Sequence, residues 1–160
     1  MKLITRSIAI FFAALTICYF FTSCKGPSKL HDDDKTGKLL NGPIRIINYD
    51  IQNQSLTLRD NTNQNAVYVV VKKTQPIQWQ VTGKQGEHIE IVEIAGDPAY
   101  ASSNDPNFFS AAPHGSGKNW TATVGTPDST KPFYKYIIKW KLDSDTTTYT
   151  FDPLMQLDPK

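Results

Sequence analysis

The residues Phe133-Tyr134-Lys135-Tyr136-Ile137-Ile138-Lys139-Trp140-Lys141-Leu142 decide the fold class. Tyr134, Tyr136, Ile138, Trp140 and Leu142 fall on one face of an extended chain, and Lys135, Lys139 and Lys141 fall on the other. Sliding the pairing register by one residue would bury three lysines, so both the strand and its inward face are specified. The alternation recurs upstream, where Ile77, Trp79 and Val81 oppose Gln78, Gln80 and Thr82. One apolar face per strand calls for a second apolar layer, which two antiparallel sheets packed face to face supply.

Outward from this stretch, alternating and β-branched runs recur from residue 43 at spacings of about 10–12 residues, and no helical period competes with them. The pattern predicts strands at 44–49, 55–59, 66–72, 77–82, 88–94, 119–124, 133–142, 147–151 and 154–157. Polar turns separate them, including Asp60-Asn61-Thr62-Asn63, Gly83-Lys84-Gln85-Gly86 and Asp143-Ser144-Asp145. Residues 43–160 are therefore expected to form one all-β domain, an antiparallel β-sandwich of seven to nine strands of the immunoglobulin or cupredoxin kind. The end of the chain adds a resemblance. Tyr134-Lys135-Tyr136-Ile137-Ile138, followed by Phe151-Asp152-Pro153-Leu154-Met155-Gln156-Leu157-Asp158-Pro159, resembles the close of certain bacterial sandwich domains in the inclusion-body and cupredoxin-like families. This resemblance implies the fold and carries no active-site residue.

The amino terminus reads as an address. Residues 1–6 contain Lys2 and Arg6, and residues 7–21 contain no charge. A helix of that length spans about 22 Å, short of the roughly 30 Å hydrocarbon core, which suits a signal-peptide core better than a permanent span. Thr22-Ser23-Cys24 follows, and small residues before a cysteine at this place resemble the bacterial lipoprotein box. The resemblance implies cleavage of residues 1–23 and acylation of Cys24, which then anchors the chain to the outer membrane of a cell envelope, on its periplasmic or outer surface. Phe21 stands where that family usually has Leu. Residues 25–42 are polar, include Asp32-Asp33-Asp34, and read as a flexible tether.

Charge narrows the partners. The whole chain holds 17 basic and 15 acidic residues; without Lys2 and Arg6, residues 24–160 hold 15 of each. A neutral mature chain has no electrostatic footprint for a phosphate backbone, so no nucleic-acid partner is expected. The expected partners are the membrane, through acyl chains on Cys24, and an envelope glycan or protein.

Chemistry-bearing patterns are sparse. A blue-copper centre needs a thiolate, two imidazoles and usually a weak axial Met. The mature chain offers His31, His88, His114 and Met155, but its one cysteine, Cys24, is consumed by lipid. Gly115-Ser116-Gly117 lacks the flanking strand and helix of a hydrolase elbow. Glu90 and Glu93, three residues apart, are expected on opposite faces of a regular strand, which denies them a paired acid-base role. No metal, cofactor or catalytic residue is therefore expected. Residues 95–118 form a long stretch without strand character that carries Tyr100, Phe108, Phe109 and His114. Loops of that length are uncommon in compact domains and are usually functional or disordered. Two adjacent aromatics cannot both face inward on a strand, so either one of Phe108 and Phe109 is at the surface, where a ring stacks on sugar or protein, or the loop folds over an open end of the sandwich and buries both rings. The expected function is a non-enzymatic binding or scaffolding module. The alternative is a small envelope hydrolase or metal-binding protein with its site around residues 95–118.

Overall fold

The computed structural model describes residues 37–160 except Lys84. The expected signal peptide, Cys24 and the expected tether up to residue 36 lie outside the described residues. The chain is all β, with strands β1 (Lys38–Leu39), β2 (Ile44–Asp50), β3 (Ser55–Arg59), β4 (Tyr68–Val71), β5 (Pro76–Val81), β6 (Ile89–Gly96), β7 (His114–Ser116), β8 (Asn119–Thr123), β9 (Phe133–Leu142), β10 (Tyr149–Phe151) and β11 (Leu154–Leu157).

They form two sheets. The first runs β1-β4-β11-β9-β10, with β6 on the other edge of β9; the second runs β3-β2-β5-β8-β7. β10 and β11 act as one interrupted strand. Tyr149 and Phe151 pair with Trp140 and Ile138, and Leu154 and Gln156 then pair with Lys135 and Phe133 in the same register. The interruption falls at Asp152-Pro153, because proline has no N–H to continue a ladder. Its carbonyl still accepts the Tyr136 N–H at 3.3 Å.

The sandwich is as expected, but its sheets are mixed rather than purely antiparallel. β1 and β11 run parallel to β4, and β2 runs parallel to β5. After the β2–β3 hairpin the chain crosses to the first sheet for β4 and returns to the second for β5. Side-chain alternation reports which face is buried and not which strand lies alongside, so it does not encode this crossover. A second correction concerns the domain's start. β1 pairs with β4, the Leu40 N–H donates to the Val70 carbonyl at 2.8 Å, and Leu40 is buried. Residues 38–40, expected in the tether, belong to the sandwich.

The core lies between the sheets. Ile44, Ile46, Leu58, Ile77 and Trp79 meet Ile89, Ile91, Tyr136, Ile138, Trp140 and Met155, all fully buried. Trp79 meets Tyr136 edge-on, with ring centroids 5.9 Å apart, and its Nε1 donates to the Tyr136 hydroxyl at 3.4 Å. Trp140 stacks on Tyr149 at 4.7 Å. β2 and β6 each carry a bulge, between Ile46 and Asn48 and between Ile91 and Glu93. An extra residue shifts the alternation by one. Ile91 and Ile94, three apart, are thus both buried.

Candidate functional site

Residues 97–110 fold onto the sandwich as a plug. Asp97 caps the 3-10 turn Pro98–Tyr100 by accepting the Ala99 N–H at 2.9 Å. The Asn104 side chain donates to the Lys135 carbonyl and accepts the Lys135 N–H, at 2.7 and 2.9 Å. The buried Asp105 carboxylate accepts the Asn107 and Asp128 N–H groups at 2.7 and 2.6 Å, one on each oxygen. Both oxygens therefore serve the loop's own fold. Phe108 and Phe109 are only 0% and 8% exposed, so of the two readings open in the sequence the loop takes the one that buries both rings. Phe108 stacks on Tyr134 at 4.7 Å, and Phe109 meets Tyr134 and Trp79 edge-on at 5.0 and 6.3 Å. The alternation rule fails here because Phe109 makes only an isolated bridge with Val124 and the segment is not a regular strand. Tyr100 is exposed on its turn, and His114 is exposed on β7. The four aromatic residues singled out in the sequence do not converge on one site.

His114 instead joins a cleft on the outer face of the second sheet. Across β5, β8 and β7 the register aligns Gln78, Thr121 and His114 in one row and Gln80, Asn119 and Ser116 in the next. An open cleft of about 240 Å³ lies over them, with Trp120 and Gly115 at its side. Gly115 is required there. A Cβ would stand 2.3 Å from the Asn119 carbonyl oxygen and 2.6 Å from the Trp120 Cα, where only a bare backbone fits. The Trp120 indole is half-buried, and its Nε1 is buried without a hydrogen-bond partner among the described residues. At the end of the β7–β8 hairpin, Gly117 takes φ +54°, and its carbonyl accepts the Ile91 N–H at 2.9 Å, tying this side of the second sheet to the first.

The polar groups of the cleft divide into used and unused. Thr121 donates its hydroxyl hydrogen to the Ile77 carbonyl at 3.2 Å, and His114 Nδ1 lies 3.2 Å from the Ala112 carbonyl. The amides of Gln78, Gln80 and Asn119 make no hydrogen bond to another described residue. No Asp, Glu, Lys or Arg occupies the outward positions of β5, β7 and β8. The nearest guanidinium, on Arg45 beside Gln80, is turned to the Asp60 carbonyl at 3.2 and 2.6 Å.

The outer face of the first sheet is built oppositely. Lys139 pairs with Glu93 at 2.6 Å, Lys141 with Glu90 at 2.9 Å, and Lys135 with Asp152 at 3.0 Å. The bulge turns Glu90 and Glu93 to the same face, contrary to the expectation for a regular strand, and each carboxylate is engaged by a lysine. His88 lies 4.0 Å from Asp143 at the solvent-exposed end of β6. Among the described residues no three His, Cys, Asp or Glu side chains gather closely enough to hold a metal ion. A second cleft, of about 330 Å³, opens beside Leu39, Leu40 and the turn after β4.

The chain matches no protein-family model and no curated protein.

The sequence reading placed Gln78 and Gln80 on an outward face but passed over them as candidates. The signal was the contrast with 133–142: one strand's outward positions carry three lysines, the other's only uncharged amides and a hydroxyl.

Proposed function

We propose that this chain is a lipid-anchored, non-enzymatic binding module of the bacterial cell envelope, and that it meets its ligand through the outer face of β5, β8 and β7. One observation carries the reading: Gln78, Gln80 and Asn119 present three amides, unused by the fold, on strands fixed by pairing on both sides. Amides held on a rigid sheet lose little freedom when a ligand engages them, which favours binding. Four carboxylates of the sandwich are engaged by the fold itself. Glu90, Glu93 and Asp152 are ion-paired, and Asp105 is spent on backbone N–H groups. The anchor rests on the order of signal core, Thr22-Ser23-Cys24 and polar tether in the sequence.

The test is retention of the full chain without its acyl anchor (Cys24→Ser) on isolated envelope fractions, compared with the same chain also carrying Gln78→Ala/Gln80→Ala/Asn119→Ala. The reading expects the variant to be released while its melting temperature is kept. Equal retention of both forms would sink it. The mass of protein extracted from membranes checks the anchor separately, since acylation adds the mass of the lipid to residues 24–160.

A further inference from the structure

Resting on the reading of this face as the ligand surface, we infer that its ligand is a neutral oligosaccharide chain, bound across β5 and β8 by Gln78, Gln80, Asn119 and Thr121. The first ground is chemical. A primary amide carries two donors and an acceptor, and a hydroxyl carries one donor and accepts as well. A sugar hydroxyl also donates and accepts, so every pairing between such a face and a glycan can be satisfied in one sense or the other. Neither partner has to bury a charge.

The second ground is spacing. Gln78 and Gln80 point the same way two residues apart on β5, about 6.7 Å along the strand. Thr121 and Asn119 stand opposite them, about 5 Å across the pairing. The result is a lattice of uncharged hydrogen-bonding groups that repeats in two directions, suited to a chain that displays hydroxyls at every unit. Trp120, paired with Trp79 and packed against the core, turns its ring to the inner face, so recognition rests on the polar lattice.

The third ground separates sugar from peptide. A peptide that docks on a sheet adds to an exposed edge, where free backbone N–H and C=O groups receive it. β5 lies between β2 and β8, and β8 lies between β5 and β7, so both have their backbone groups committed on both sides. β5 and β8 offer only side chains, and the sheet's exposed backbone edge on that flank is β7, at the side of the cleft. An acidic polymer is disfavoured as well, because these outward positions hold no cation to meet a phosphate or carboxylate.

The experiment titrates the full chain in mild detergent with cellohexaose, maltohexaose and N-acetylchitohexaose by calorimetry, with a Ser-Gly hexapeptide as the competing class. At least one hexasaccharide should bind. Gln80→Ala and Asn119→Ala should each weaken that binding tenfold or more at unchanged melting temperature, and Lys141→Ala on the opposite face should leave it unaltered. Binding by none of the three sugars, or binding indifferent to Gln80 and Asn119, overturns the inference. Peptide binding with the same sensitivity overturns the sugar assignment while the face stands as the ligand surface. Loss of envelope retention in the triple variant without any sugar binding does the same.

Discussion

Glu90 and Glu93 stand on the same outer face of β6 although three residues separate them, because Val92 bulges out of the ladder between them. Glu90 sits opposite Lys141 and Glu93 opposite Lys139, and each makes an ion pair with its partner. The same bulge turns Ile91 and Ile94 together into the core. One inserted residue thus sets both the charged exterior and the apolar interior of the sheet.

The ion pairs and the bulge should differ sharply in what they contribute. The four side chains are more than a third exposed, so water and salt screen them. Replacing Glu90 and Glu93 by Gln should shift stability by less than about 1 kcal/mol per pair, and the small effect should shrink further in high salt. Deleting Val92 should unfold the domain, since it slips one flank of β6 by a residue and turns the Ile94 side or the Ile91 side out to water. Denaturant midpoints of the two variants check this; similar midpoints would refute the role given to the bulge.

How far the sequence was legible follows from the same physics. Strands 55–59, 133–142 and 154–157 emerge with the predicted bounds, because each alternates over its whole length or is closed by a sharp turn signal. β1 and β7 escaped notice because two or three residues carry no period. Glu90 and Glu93 share a face that a regular strand would deny them, because a bulge leaves no mark in composition. Phe108 and Phe109 stay open between two readings in the sequence, because alternation assigns faces only within a regular strand and this segment is not one. The outward direction of Gln78 and Gln80 was visible. Their alignment with Asn119, Thr121 and His114 was not, since it depends on which strands are neighbours.

Trp140 tests the register read from 133–142. It is fully buried, stacked on Tyr149 and tilted against Tyr49 at 5.8 Å. Trp140→Ala should cost about 3–5 kcal/mol through lost burial and the cavity left behind. Trp140→Phe should cost clearly less. It keeps an aromatic ring, and it removes an indole N–H that has no hydrogen-bond partner among the described residues. Equal losses in the two variants, measured by chemical denaturation, would contradict this account.

Tyr136 should make the fold sensitive to alkali. Burial pushes its phenol far above the ordinary value of 10.0, and the hydrogen bond from Trp79 only partly offsets that. In the unfolded chain the phenol loses its proton near pH 10, whereas in the native core it keeps it. Above that pH the unfolded state binds fewer protons than the native one, so unfolding becomes easier as pH rises. The stabilisation is complete below about pH 10 and is lost progressively above it. Tyr136→Phe should flatten this slope. Tyr134, raised by its own burial, should leave a smaller residual slope. Melting temperatures across the alkaline range give the comparison, and parallel curves for wild type and variant would exclude Tyr136 as the cause.

Gly115 and Gly117 offer the sharpest test of how the β7–β8 hairpin shapes the cleft. A methyl group at Gly115 collides with backbone of Asn119 and Trp120, which no side-chain rotation can relieve. Gly115→Ala should therefore push β7 away from β8, accelerate amide exchange at its pairing partner Trp120, and abolish binding at the cleft. At Gly117 a Cβ meets nothing within 4 Å, and the cost lies only in the φ of +54°. Gly117→Ala should lower stability by about 1 kcal/mol and leave ligand binding intact, and Gly117→Asn should recover part of that loss because Asn tolerates this conformation. Hydrogen exchange together with titration of the bound sugar separates the two positions. If Gly115→Ala bound as well as Gly117→Ala, the alignment of β7 with β8 would have no part in recognition.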